Sequence, residues 1–300
     1  MSALPTKILL ASDGSEDAAA AARAATDVSG KVGAELHVVH AWQTPTPPAY
    51  TRYALPVEHS SWYERQAEDL LDGQVKRIEE AGEAVAGAHL RKGPAVDEIL
   101  DLSEELEVGL IVTGSRGLGL LRRLVMGSVS DGVAHHTTRP VLVVRGGEHA
   151  WPPSRIVVGE DLSEEAEGAA RLAVNLGKLF EAEVRLVLAY PRFPRFTTQR
   201  VAVRPDAWTA EEGLRRAEEA LEELSGELEG ELGWRPQTRA VVGDAASVIL
   251  EAADESREPA LISVGSRDLA QFVRIRLGSV SSDVLWAANG PVLVYKRPAR

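Results

Sequence analysis

Residues Val108–Pro140 read VGLIVTGSRGLGLLRRLVMGSVSDGVAHHTTRP. The apolar run Leu110–Val112 ends in Gly114, Gly117 follows after two residues, and Gly127-Ser128 comes after nine more. A helical pattern begins there. A strand that empties through glycines onto a serine at a helix start is an anion cradle in outline. Glycine backbones reach positive φ and approach a ligand closely. The first turn of a helix offers unpaired N–H groups at the positive end of its dipole. The expected occupant is the phosphate of a nucleotide.

The cradle occurs twice. GSRGL at 114–118 matches GSRDL at 265–269, and GSVSD at 127–131 matches GSVSS at 278–282. Upstream, KILLASD at 7–13 matches RIVVGED at 155–161, AELHVVHA at 34–41 matches AEVRLVLA at 182–189, and GPAVDEIL at 93–100 matches GDAASVIL at 243–250. PVLVVR at 140–145 matches PVLVYK at 291–296. Co-linear blocks at a nearly constant offset mark a duplicated domain. Residues 1–146 and 154–300 form the two copies, joined by a Gly- and Pro-rich linker at 147–153. A length of 300 residues suits two domains of roughly 150 each.

Short apolar runs alternating with helical patterns predict a parallel α/β sheet in each copy. In the first, the expected strands are Ile8–Ala11, Leu36–Ala41, His89–Arg91, Leu110–Thr113 and Val141–Val144. An Ala-rich helix spans Ser15–Ser29. Ser61-Trp62-Tyr63-Glu64 matches a capping box, opening a helix whose buried stripe is Leu71, Val75, Ile78, Gly82 and Val85. Further helices end near Ile99 and start after Ser128. In the second copy the capping box is Thr209–Glu212 and the stripe Leu214, Ala217, Leu221, Leu224, Leu228 and Leu232. Irregular segments at 43–59 and 191–205 precede the long helices. The second carries Arg192, Arg195, Arg200 and Arg204, most simply a solvated loop.

Composition narrows the functions. A net charge of -12 argues against a nucleic-acid-binding face, and the absence of cysteine excludes disulfides and thiolate chemistry. Asp13 breaks the first apolar run, so no signal peptide is expected, and no stretch approaches the ~20 apolar residues of a membrane span. A cytoplasmic protein is expected.

G-x2-G-x9-G-S after the fourth strand of an α/β unit resembles the nucleotide-binding signature of the universal stress protein family, and Gly114, Gly117, Gly127 and Ser128 fit it without a gap. KILLASD, the Gly93 turn and the strand after Pro140 are similar as well, so the chain resembles a tandem, two-domain member. The resemblance implies two Rossmann-like (adenine nucleotide alpha-hydrolase-like) domains, each a five-stranded parallel sheet in the order 3-2-1-4-5 with helices on both faces. It implies adenine-nucleotide binding, typically ATP with Mg²⁺, where the strand order switches. Carried over by position, Ala11, Ser12, Asp13 and Ala41 border the adenine. Gly114, Ser115, Arg116 and Gly117 shape the loop near ribose and phosphates. Gly127, Ser128, Val129 and Ser130 offer N–H and hydroxyl donors. Taken alone, Asp13-Gly14-Ser15 reads as a turn and helix N-cap, and the glycine loop beside it favours the ligand role.

The second-copy counterparts are Gly159, Glu160, Asp161, Gly265, Ser266, Arg267, Gly278, Ser279, Val280 and Ser281. Here Asp268 stands where the first copy has Gly117. A carboxylate beside a phosphate repels it by about 4 kcal/mol at 4 Å and an effective dielectric of 20, so a weak or empty second site is expected.

No P-loop is present, and Arg122 stands where a dinucleotide fingerprint needs its third glycine. No catalytic set of side chains assembles, and no protein metal site is expected. His135-His136 diverge on a helix, and His37 and His40 fall on opposite strand faces, which favours structural roles. The expectation is a stress-response binding module whose ATP is a regulatory or structural ligand. The alternatives are a slow ATPase or adenine-nucleotide hydrolase, and a nucleotide-independent scaffold. The exposed edge of strand five is expected to pair within the chain as a pseudo-dimer, leaving open a homodimer of whole chains.

Overall fold

A computed structural model describes residues 4–44, 60–115, 126–145, 151–191, 210–256, 260–267 and 277–297. The chain divides into two compact units, Pro5–Val133 and one containing Ala134–Arg300.

The first unit runs β1 (Lys7–Ala11), α1 (Glu16–Val32), β2 (Glu35–Trp42), α2 (Ser60–Glu80), β3 (Gly87–Lys92), α3 (Ala95–Glu105) and β4 (Leu110–Gly114), and α4 (Ser128–His136) opens within it. The strands are parallel. Leu9 of β1 lies opposite His37 of β2 and Ile111 of β4, and His37 lies opposite Gly87 of β3. The chain therefore steps from β1 outward to β2 and β3, then returns to the other side of β1 as β4. That reversal leaves a crevice at the carboxyl ends of β1 and β4. Ile8, Leu9, Leu10, Leu110, Ile111 and Val112 are all buried, the continuous apolar runs of strands covered on both faces.

α1 packs through Ala18, Ala20, Ala21, Ala22, Ala24, Ala25 and Val28. Methyl side chains let its backbone come close to the sheet. A Cβ on Gly114 would stand 2.7 Å from the carbonyl carbon of Asp17. Ser15 caps the start of α1 by accepting from Ala18 N, and Gly33 ends it in the left-handed region.

The second unit holds β5 (Val141–Val144), β6 (Arg155–Glu160), α5 (Glu164–Phe180), β7 (Glu183–Tyr190), α6 (Ala210–Leu232), β8 (Gln237–Val242), α7 (Ala245–Ala253), β9 (Leu261–Gly265), α8 (Ser279–Ala287) and β10 (Val292–Tyr295). Parallel pairing gives β8-β7-β6-β9-β10, the order 3-2-1-4-5. β5 adds antiparallel to the far side of β10, with Leu142 opposite Leu293. The last strand of the first repeat thus completes a sheet of the second. The buried cations after the two strands cap helix ends. Arg145 donates to Ala288 O after α8 at 3.0 Å, and Lys296 donates to His135 O in α4 at 3.5 Å. Trp151, in the expected linker, is buried, with its ring edge-on to Phe180 at 5.1 Å.

Two details differ from the sequence expectation. α2 already includes Ser60, so Ser61 lies inside the helix and is not its cap. Its buried stripe is Ala67, Leu71, Gln74 and Ile78, while Gly82 falls past the end at φ +94. In α6, Ala217, Leu221, Leu224 and Leu228 are buried, with Leu214 and Leu232 half-exposed at its ends. Thr209 and most of the two irregular segments lie outside the described residues.

Candidate functional site

In the first unit, Ala11, Ser12 and Asp13 after β1 and Thr113 and Gly114 of β4 converge on a cavity of about 230 Å³. Val39, His40 and Ala41 of β2, Ala18 of α1, Ala95 and Ile99 of α3, and Gly127–Ser130 complete its lining. Asp13 Oδ1 accepts from Ser15 N at 3.0 Å, so it closes the turn that positions the α1 cap while bordering the cavity. The turn-and-cap reading of Asp13-Gly14-Ser15 holds in the geometry, and Asp13 also borders the cavity. His40 Nδ1 lies 2.8 Å from Ser12 O. Because that oxygen only accepts, Nδ1 carries the hydrogen.

Ser115 is buried and does not line the cavity. Its hydroxyl donates to Asp17 Oδ2 at 2.7 Å, and its carbonyl accepts from Gly127 N at 2.7 Å. Ser130 Oγ points inward, donating toward Ser115 O at 3.1 Å and Gly127 O at 3.0 Å. Its hydroxyl is committed to the fold, so the expected phosphate donor at this position reduces to its N–H. The N–H groups of Ser128, Val129 and Ser130 open α4, where no helical acceptor precedes them. Asp13 is the carboxylate among the described lining residues, and no lysine or arginine joins them. Arg116 and Gly117 lie outside the described residues.

The second unit repeats the framework and changes its surroundings. Asp161 Oδ1 accepts from Ser163 N at 3.1 Å and Ser163 caps α5, as in the first copy. A Cβ on Gly265 would stand 2.5 Å from Ala166 N. Ser266 Oγ accepts from Gly278 N at 3.3 Å, and Ser281 Oγ donates to Gly278 O at 3.1 Å. Ser279 starts α8 and Val280 is exposed. Arg267 Nη2 pairs with Asp161 Oδ2 at 3.1 Å. Gly159 gives Ile249 room, since a Cβ there would meet its Cδ1 at 2.5 Å. Glu160, in the place of Ser12, is 6% exposed. Its Oε2 accepts from Leu162 N at 3.3 Å, while Oε1 has no hydrogen-bond partner among the described residues. Burial pushes its pKa from 4.5 up to about 8, with Asp161 and Glu167 adding to the rise and the Leu162 N–H and Arg171 opposing it. Asp268 lies outside the described residues.

The model of the universal stress protein family matches residues 5–145 and 153–296. The chain belongs to the universal stress protein family. A universal stress protein of Mycolicibacterium smegmatis is 30% identical over 209 residues, 69% of this chain and 67% of that one. One from Mycobacterium bovis is 28% identical over 311 aligned positions, covering 97% of each chain. Among solved structures, a universal stress protein from Archaeoglobus fulgidus is alike in fold, with a TM-score of 0.68 at 24% identity over 97% of this chain and 98% of that one.

Within this universal stress protein fold, nine of the residues singled out from the first repeat border one cavity: Ala11, Ser12, Asp13, Ala41, Gly114, Gly127, Ser128, Val129 and Ser130. Sequence reading passed over Ala18, Val39, His40, Ala95, Ile99 and Thr113. Thr113 and His40 were legible as neighbours of named residues. The walls from α1 and α3 come together only in the folded unit. Among the described residues, no group of three or more His, Cys, Asp or Glu is arranged to hold a metal. Among the described residues, no helix is long and apolar enough to cross a membrane.

Proposed function

We propose that the crevice of the first repeat binds an adenine nucleotide, ATP, as a regulatory or structural ligand, making the chain an ATP-responsive module of a cytoplasmic stress response. The observation that carries this reading is one cavity bordered by three kinds of group. Ala11, Val39, Ala41 and Ile99 give apolar walls that suit a purine. Asp13 supplies an acceptor for an exocyclic amine or a ribose hydroxyl. The opening turn of α4 presents N–H groups to phosphate. The donor chemistry fits the nucleotide without a cationic side chain, and Mg²⁺ would be held through the phosphate oxygens. The second repeat is assigned the weaker site.

Denaturing freshly purified protein and counting the released nucleotide tests this reading. One adenine nucleotide per chain is expected, with calorimetry on stripped protein giving a single ATP·Mg²⁺ site. Protein that carries none and takes up none on titration sinks it.

A further inference from the structure

Outside both crevices, the rings of His37 on β2 and His89 on β3 meet directly. His37 Nδ1 lies 3.1 Å from His89 Nε2, with ring centroids 5.3 Å apart. His37 is buried, and the backbone of Gly87 closes one side of the pair. A Cβ on Gly87 would stand 2.7 Å from His37 Nδ1 and 2.8 Å from His89 Nε2. The charged groups around the rings are Glu35, Arg91 and Glu105. Glu35 Oε2 is 3.7 Å from His37 Nε2, and Arg91 of β3 pairs with Glu105 in the last turn of α3.

Two facing ring nitrogens at this distance need one hydrogen between them. A neutral pair meets that condition, and so does a pair carrying one extra proton. A second proton places two N–H groups and two positive charges against each other. Gly87 closes one side of the rings, so the repulsion is relieved by parting them, which releases this side-chain tie between β2 and β3. Burial, His37 and Arg91 all hold His89 below its ordinary 6.5, against the opposing pull of Glu105.

We propose that His37 and His89 form a proton-operated clasp between β2 and β3, closed at neutral pH and opened when the pair takes up its second proton. The Arg91–Glu105 pair links β3 to α3, and α3 supplies Ala95 and Ile99 to the cavity wall. Acidification therefore loosens the side of the first unit that borders the crevice. No counterpart exists in the second repeat, where Arg185 and Arg239 occupy the ladder positions of His37 and His89 within a cluster of glutamates.

Hydrogen exchange on the full-length protein tests the clasp at the amides of Gly87–Lys92. Between pH 7.5 and 5, after correction for intrinsic rates, protection is expected to fall roughly tenfold, about 1.4 kcal/mol of opening free energy. His89→Gln keeps a hydrogen-bonding group that does not titrate, and its protection is expected to stay level. In the wild-type protein, ring resonances followed by NMR are expected to report two macroscopic steps, the second below 6.5. Unchanged wild-type protection, an equal acid loss in His89→Gln, or a single ring titration at the ordinary value would each overturn the proposal. If His89→Gln fails to fold, the wild-type ring titration decides. None of these readouts involves a nucleotide, so they stand or fall separately from the function proposed above.

Discussion

The two crevices share a framework and differ in what surrounds it. Both repeats close an Asp–Ser turn after the first strand, cap the following helix with that serine, and bring the helix backbone against a glycine at the end of the fourth strand. The changes lie around that framework. Ser12 gives way to the buried acid Glu160, and His40 to Leu188. Ala11 becomes Gly159 with Ile249 seated over it, and Asp161 is engaged by Arg267. A Cβ at either glycine would fall within 3 Å of helix backbone, so these positions admit no side chain and the framework is held in common. Residues around a ligand can change once binding no longer constrains them. On the proposed reading, the weaker binding assigned to the second crevice would rest on several side chains, with the charge of Asp268 only one contributor.

Four experiments sharpen or break this contrast. The largest effect is expected where the repeats agree. Gly114→Ala and Gly265→Ala each force a methyl against helix backbone, at 2.7 and 2.5 Å. Each is expected to cost about 3 kcal/mol in denaturant unfolding. A loss at one position only would show that the framework is not common to both.

The next effect belongs to the second repeat. A carboxyl whose pKa is raised on folding, from 4.5 to about 8, binds more protons folded than unfolded between those values. Its burial is therefore fully tolerated below 4.5, and stability falls as pH rises toward 8. Glu160→Gln removes that slope, and thermal unfolding near pH 8 is expected to show a gain of about 2 kcal/mol. If the variant keeps the wild-type pH slope, Glu160 is not the buried acid.

Asp13→Ala is expected to weaken ATP binding roughly tenfold by calorimetry, about 1.4 kcal/mol, whereas Asp161→Ala leaves affinity and stoichiometry unchanged. Equal losses would mean that both crevices bind. The smallest change is expected for Arg267→Ala. Its ion pair is 44% and 40% exposed at the two side chains, which limits its worth to below about 1 kcal/mol and makes that sensitive to salt.

Much of this was legible in the chain. The buried strands β1 and β4 read as unbroken apolar runs, and Val141–Val144 matches β5 residue for residue. The start of α2 was misread because Ser61-x-x-Glu64 satisfies a cap by spacing alone, while the helix continues back to Ser60. Ser130 was read as a ligand donor because a hydroxyl at a helix start can face either way. Only the carbonyls of Ser115 and Gly127 turn it inward. His37 and His89 are 52 positions apart, and nothing in their spacing announces that β2 and β3 align them.

The sequence by itself determined the duplication, the parallel α/β class and nine of the residues that border the first cavity, because those rest on periodicity and on repeated local motifs. Tertiary structure alone decided which apolar residues wall the cavity, that Glu160 is buried with no partner for Oε1 among the described residues, and that two distant imidazoles meet at hydrogen-bonding distance. Those properties depend on distances between strands and helices remote in sequence, and burial and proton affinity follow from such distances.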